Sequence, residues 1–204
     1  PYPPGSTIKP FLGLAGLHQG LVDYDFTIDD PGYFRLPGVS YRWGDWTRRT
    51  AAGGGHGITD LQKAIFQSCD TFFYDLANRM GIDSMHGFMK LFGFGENFAV
   101  DIGYARTGLL PSREWKRAAR NEPWYPGDTI NASIGQGDMW ATPLQLATAT
   151  SIVANKGKVV PPRLLKAIDG EAFNPVIENP IPDVMVNDPD YWRYIEESMT
   201  MVVH

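Results

Sequence analysis

The chain has 204 residues and carries 18 Lys plus Arg against 23 Asp plus Glu, a formal net charge of −5, which suits one sizeable domain or most of one. Hydrophobic residues at 43% and charged residues at 20% supply a core and exclude a disordered tail. The mild acidity, with no long Lys/Arg run, argues against nucleic acid or anionic lipid as the main ligand. No apolar stretch approaches the ~20 residues that span a bilayer, and the lone Cys69 excludes an internal disulfide.

Ser6 to Gln19 carries Ile8, Phe11, Leu12, Leu14, Ala15 and Leu17 at the spacing of a largely buried helix, with Ser6 as its cap and Gly20 as its stop. From Leu21 to Gly57 the pattern is a long loop, punctuated by Asp30-Pro31-Gly32, Leu36-Pro37-Gly38 and Gly53-Gly54-Gly55-His56-Gly57. Loops of this length are usually functional. Thr59 then caps a helical pattern running to Gly81, one helix or two broken near Ser68. Further helices are predicted at Ser84–Phe92, Ser112–Arg120 and Pro143–Ala154, and short strands at Lys158–Val160 and Arg163–Ile168. A Pro-rich connection, Asn174 to Pro189, leads to a last helix capped by Asp188, with Tyr191, Trp192, Ile195 and Met199 on one face. The chain opens Pro1-Tyr2-Pro3-Pro4 without Met and stops at His204 inside a helical pattern, so it reads as part of a longer protein, and a missing targeting segment says nothing of location.

Two short motifs carry chemistry. Ser6-Thr7-Ile8-Lys9, the single Ser-x-x-Lys of the chain, puts a hydroxyl and an amine on one face at a helix start. A lysine buried beside a serine can take its proton and make it a nucleophile. The plainer reading is a capping Ser followed by a surface Lys. Ser68-Cys69-Asp70 is the second motif; its plain reading is a small-residue stripe within a helix. On an unbroken helix, residues two apart point roughly 200° away from each other. Ser68 and Asp70 can therefore serve one pocket only if the helix breaks there.

These elements resemble the serine acyl-enzyme family of penicillin-binding proteins and serine β-lactamases, built on Ser-x-x-Lys, Ser-x-Asn/Asp and Lys-Thr/Ser-Gly. Tyr2-Pro3-Pro4-Gly5-Ser6-Thr7-Ile8-Lys9-Pro10, Asp30-Pro31-Gly32, Leu36-Pro37-Gly38, Ser68-Cys69-Asp70-Thr71-Phe72-Phe73-Tyr74, Arg113-Glu114-Trp115-Lys116, Pro123-Trp124-Tyr125-Pro126-Gly127-Asp128-Thr129-Ile130 and Ile134-Gly135-Gln136-Gly137 narrow it. Together they look like the elongation-specific class B transpeptidases of Gram-negative bacteria, from the first residue to the last helix. The resemblance implies an α+β fold, with a helical subdomain and an incomplete antiparallel sheet over residues 1–204. It implies D,D-transpeptidation of peptidoglycan stem peptides ending in D-Ala-D-Ala, and inhibition by β-lactams. Ser6 would be the nucleophile, Lys9 its general base, Ser68 the relay to the leaving amine, and Asp70, where many relatives carry Asn, the residue that orients substrate amide or Lys9. No Lys-Thr-Gly or Lys-Ser-Gly occurs in the chain, so half of the oxyanion hole and most of the central sheet are expected to be missing. The resemblance also implies a periplasmic domain of an inner-membrane protein, working with a membrane glycosyltransferase and elongation-complex proteins. Alternatives of the same fold are a β-lactamase or a D,D-carboxypeptidase; one of another class is a non-catalytic β-lactam sensor or wall-synthesis scaffold.

Asp30, Asp45, His56 and Cys69 would together make a closed tetrahedral zinc site. Their wide spacing matches no compact zinc motif, and a buried Cys with a loop His is the plainer reading. Two considerations favour zinc as a structural cofactor: a lone thiol in an oxidising compartment needs shielding, and some members of the resembled family hold zinc in this region. His18 and His86 have no partner pattern. Trp43, Trp46, Trp124 and Tyr125 are expected to anchor loops rather than line a groove.

Overall fold

The structure, a computed structural model, describes residues 1–49, 53–172 and 181–203. Its centre is a helix buried on nearly all sides. A 3-10 turn, Gly5–Ile8, runs into α1, Lys9–His18, in which every residue from Lys9 to Leu17 is buried. Five apolar side chains in that stretch leave no polar face, which is the pattern of a helix walled in by others. Helices α2 (Leu61–Phe66), α3 (Asp70–Met80), α4 (Ile82–Lys90) and α8 (Asp190–Thr200) pack around it. Phe11 meets Phe92 and Phe94 with ring centroids 5.2 and 5.5 Å apart; each such buried side chain is worth ~1.5–3 kcal/mol. At Gly16 a Cβ would come within 2.9 Å of Leu76 Cδ1, so a glycine there sets how closely α1 approaches α3.

A second group of helices, α5 (Arg113–Arg120), α6 (Pro126–Ala132) and α7 (Pro143–Ala154), follows. Ser112 caps α5 by accepting from Trp115 N–H, and Thr142 and Gln145 form a reciprocal box at α7. The sheets are small and antiparallel: β1 (Thr27–Asp30) with β4 (Gly57–Asp60), β2 (Tyr33–Phe34) with β3 (Trp43–Gly44), and β5 (Ala167–Ile168) with β6 (Glu171–Ala172). The mixture of helices and small antiparallel sheets is the expected α+β class.

Several local expectations are corrected. Ser6 makes no helix cap, because the chain enters α1 through the 3-10 turn and the cap position is Ile8, without a side-chain bond. The segment from Leu21 to Gly57 is not free loop: Thr27 pairs with Asp60 and Asp30 with Gly57 across β1 and β4, so it is tied to the start of α2. Asp60, not Thr59, caps that helix by accepting from Lys63 N–H. Lys158–Val160 forms no strand; Val159 N–H donates instead to the Asp183 side chain at 2.8 Å. Of Arg163–Ile168 only the last two residues are strand. Helix α6 was not predicted. The last helix starts at Asp190, whose N–H donates to Asp188 Oδ1 at 2.9 Å. Residues 174–180 of the Pro-rich connection lie outside the described residues.

Candidate active site

The 3-10 turn brings Ser6 and Lys9 into register. Lys9 N–H donates to the Ser6 carbonyl, and in a 3-10 turn side chains three apart eclipse one another. Ser6 is exposed at the surface end of the turn while Lys9 is buried, 1% exposed. Lys9 Nζ donates to Asp70 Oδ1 at 2.5 Å, to the Ser68 carbonyl at 2.8 Å and to Ser68 Oγ at 3.1 Å. Three acceptors meet the three N–H donors of an ammonium group. No hydrogen bond joins Ser6 Oγ to Lys9 among the described residues.

The break required near Ser68 is present. Helix α2 closes with Cys69 N–H on the Ala64 carbonyl and Ser68 N–H on that of Ile65. Ser68 adopts φ +56°, a left-handed conformation costing a non-glycine residue roughly 1–2 kcal/mol. Cys69 then caps α3, its sulfur accepting from Phe72 N–H at 3.5 Å. The reversal lets Ser68 and Asp70 both face Lys9. Burial pushes the Asp70 carboxyl above its ordinary value, against the charge and hydrogen bond of Lys9 that pull it down.

The turn that carries Ser6 is fixed from a distant part of the chain. Tyr2 and Ala141 exchange backbone hydrogen bonds of 2.8 and 2.9 Å, and Gly5 N–H donates to the Gly135 carbonyl at 3.0 Å. Gly135 has φ +68°, and a Cβ there would lie 2.3 Å from the Gly5 carbonyl oxygen. Gly135→Ala should therefore lower stability by about 1–3 kcal/mol more than a mere left-handed alanine. Gly20→Ala is the control, with φ +66° and nothing within 4 Å of the new Cβ. Equal urea midpoints for the two variants would show that the close approach is not binding.

Behind Asp70 the structure gathers Asp30, Asp45, His56 and Cys69, with one donor atom from each, all within 4.8 Å of one another. Asp30 and Asp45 are both 2% exposed. His56 Nδ1 lies 2.9 Å from Asp30 Oδ2 and 3.6 Å from Asp45 Oδ1; Cys69 Sγ lies 3.5 Å from Asp30 Oδ2. A tetrahedron with metal–ligand bonds of 2.0–2.3 Å has edges of about 3.3–3.8 Å, so these separations are close to those of a ligand cage. Burial pushes the Cys69 thiol far above its usual range, and the charges of Asp30 and Asp45 push the same way. Burial also pushes Asp30 upward, but hydrogen bonds from the backbone and ring of His56 and from Gly32, with the nearby Thr71 side chain acting in the same direction, outweigh it and leave that carboxyl below its ordinary value. His56 Nε2 is buried without a partner. The donor set and the closeness of two buried carboxylates to a thiol and His56 Nδ1 fit a divalent cation of the zinc type.

The two clusters share a side chain in a way the sequence did not disclose. Asp45 turns Oδ1 toward His56 and uses Oδ2 to accept from Asp70 N–H at 2.7 Å and Thr71 N–H at 3.2 Å. It therefore holds the first turn of α3, where charge complements the helix dipole. A carboxylate twenty-five residues from a helix start leaves no local signal for this role. The tryptophans anchor loops as expected: Trp43 Nε1 donates to Asn131, Trp46 Nε1 to the Gln67 carbonyl and Trp124 Nε1 to Thr129. His18 is engaged as well, its Nδ1 accepting from Asn187 N–H.

Residues 1–204 match the family described as penicillin binding protein transpeptidase domain over their whole length. The chain belongs to that family. Within it, the chain is 48% identical over 206 residues to the Acinetobacter baumannii peptidoglycan D,D-transpeptidase MrdA, covering 99% of this chain and 30% of that protein. It is 38% identical over 200 residues to the Escherichia coli K12 MrdA, covering 97% of this chain and 31% of the relative. The chain thus spans under a third of the length of these curated relatives. Among solved structures, Pseudomonas aeruginosa PBP2 in complex with WCK 5153 superposes with a TM-score of 0.93 at 47% identity, over 100% of this chain and 44% of that one. Helicobacter pylori PBP2 in complex with MreC gives a TM-score of 0.84 at 30% identity, over 100% and 35% respectively. The penicillin-binding transpeptidase fold is thereby established for this chain, and its resemblance to the PBP2 branch extends over both clusters.

Proposed function

We propose that this chain carries the acylation centre of a serine D,D-transpeptidase that cross-links peptidoglycan stems during cell elongation. The observation that carries the reading is the position of Lys9: buried, one 3-10 turn from Ser6, and gripped by Ser68 and Asp70. In the proposed reaction Lys9 Nζ first passes one of its three protons to the Asp70 carboxylate, which burial biases toward its protonated form. Ser6 Oγ then attacks the carbonyl of the D-Ala-D-Ala bond while its own proton passes to the neutral Lys9 amine. The C–N bond then breaks, Ser68 relays the proton to the departing D-alanine amine, and the stem remains as an ester on Ser6. The amine of a second stem then attacks that ester, the proton it sheds passes through Ser68 and Lys9 to Ser6 Oγ as the C–O bond breaks, and the amide cross-link is left with Ser6 free. Asp70 holds Lys9 in place, and the Ser6 backbone N–H is one oxyanion donor, each such donor being worth about 3 kcal/mol.

Because no Lys-Thr-Gly or Lys-Ser-Gly occurs in these residues, the 204-residue chain should label with a fluorescent penicillin slowly and substoichiometrically. Any adduct should vanish in Ser6→Ala. Rapid stoichiometric labelling would remove the idea that the third element is needed, and an adduct surviving in Ser6→Ala would remove Ser6 as nucleophile. β-lactams are proposed ligands of Ser6. Elongation-complex partners are supported by relatives solved with MreC and in a peptidoglycan synthase complex, and a membrane glycosyltransferase and a periplasmic setting belong to the same reading. Among the described residues no helix is long and apolar enough to cross a membrane.

Zinc is proposed as a structural ion at Asp30, Asp45, His56 and Cys69. When bound, it would balance the two buried carboxylates and hold Cys69 as a thiolate. The residues themselves tie β1, β3 and β4 to the first turn of α3.

A further inference from the structure

Thr71, the second residue of α3, carries a hydroxyl that the structure leaves without use. The residue is 4% exposed, and its Oγ1 is fully buried with no hydrogen-bond partner. A buried hydroxyl in that state costs free energy, and a valine of the same shape would avoid the cost. Among the described residues the companion orphan is His56 Nε2, and both sit at the cluster of Asp30, Asp45, His56 and Cys69. Thr71 touches that cluster twice. Its N–H donates to Asp45 Oδ2 at 3.2 Å, and its side chain lies near enough to Asp30 to help draw that carboxyl down, though not in hydrogen-bonding geometry. It also follows Cys69, the cap of α3, by two positions. One small residue is thus placed against two members of the cluster and in the same helix turn as a third.

We propose that Thr71 is a positioning residue of the metal centre, its hydroxyl donating to the Asp30 carboxylate and fixing that ligand toward a bound divalent cation. The proposal rests on the zinc reading of the cluster. Partners that orient ligating carboxylates typically change metal affinity by about 10- to 100-fold when lost. A hydroxyl kept only for packing would have no such effect.

The test uses the 204-residue chain and its Thr71→Val and Thr71→Ser variants, with Thr71→Ala in place of the valine if that fails to fold. Zinc affinity is read by competition with a chromophoric chelator, ligand geometry by the visible bands of the cobalt(II)-loaded protein, and metal-free stability by urea unfolding. The valine variant should be as stable without metal as the parent, or more so. It should bind zinc about 10- to 100-fold more weakly with altered cobalt bands, and serine should restore both. Parental zinc affinity and cobalt bands in the valine variant would overturn the proposal. So would a serine variant as impaired as the valine one. A parent chain that takes up neither zinc nor cobalt would overturn the metal centre itself, and with it the role of Thr71.

Discussion

Stripping metal from the purified protein with a strong chelator should lower its melting temperature by about 10 °C or more, and metal analysis beforehand should find close to one zinc per chain. The size follows from what is buried there. Asp30 and Asp45 are each 2% exposed and Cys69 is fully buried, so without a cation the cluster keeps carboxylates out of water with hydrogen bonds as their only compensation. Structural zinc contributes ~10–16 kcal/mol in zinc-finger peptides. Even a third of that, at roughly 2–4 °C per kcal/mol for a chain of this size, gives a shift of this order. Cys69→Ser exchanges thiolate for a poor ligand and should reproduce most of the loss. The zinc reading fails if the untreated protein holds no zinc, or if chelation leaves the transition where it was.

The second large effect concerns the Lys9–Asp70 pair. Asp70→Ala leaves the Lys9 ammonium with two Ser68 oxygens in a site where the lysine is 1% exposed. Removing one member of a buried ion pair typically costs ~3–5 kcal/mol. Asp70→Asn should cost clearly less, since an amide oxygen can still accept from Nζ. Replacing both residues by apolar ones of similar volume, Lys9→Met with Asp70→Leu, should recover much of the single-variant loss, because the desolvation of two charges disappears with them. Urea unfolding measures all three. A loss under about 1 kcal/mol for Asp70→Ala would place the pair with solvent-screened surface bridges. On the proposed mechanism the double variant regains stability without regaining any acylation, which separates the structural use of the pair from its chemical one.

How far the sequence disclosed this arrangement depended on the range of the interactions involved. The helices of the core were legible because apolar spacing is local: α5 and α7 fall within a residue of their expected bounds, and α1 differs mainly in starting three residues after Ser6, behind a 3-10 turn. The interruption at Ser68 was legible as a geometric requirement, since two residues of an unbroken helix could not share a pocket. Strand β1 was illegible because Thr27–Asp30 includes two aspartates, poor strand formers, and is held only by pairing with Gly57–Asp60. Helix α6 was hidden by Pro126-Gly127, which reads as a turn, although proline is well suited to a first helical position and Asp128 Oδ2 accepts from Tyr125 N–H at 2.8 Å. Val159-Val160 misled in the opposite sense, its backbone being satisfied by a side chain rather than a partner strand. The cage of Asp30, Asp45, His56 and Cys69 was assembled partly from resemblance, and its compactness is a fact of tertiary structure alone.

The bonds from Tyr2 to Ala141 and from Gly5 to Gly135 bear on when the site comes into being. Residues near the start of this chain emerge from synthesis ahead of the partners that fix their pose, and contacts so remote in sequence bear a high loop-closure cost before they yield anything. Ser6 therefore exists as an ordinary flexible serine until the segment reaching Ala141 has been made and has docked. On the proposed function, its activation comes late, with the closing of the fold, which spares the nascent chain from carrying an activated nucleophile.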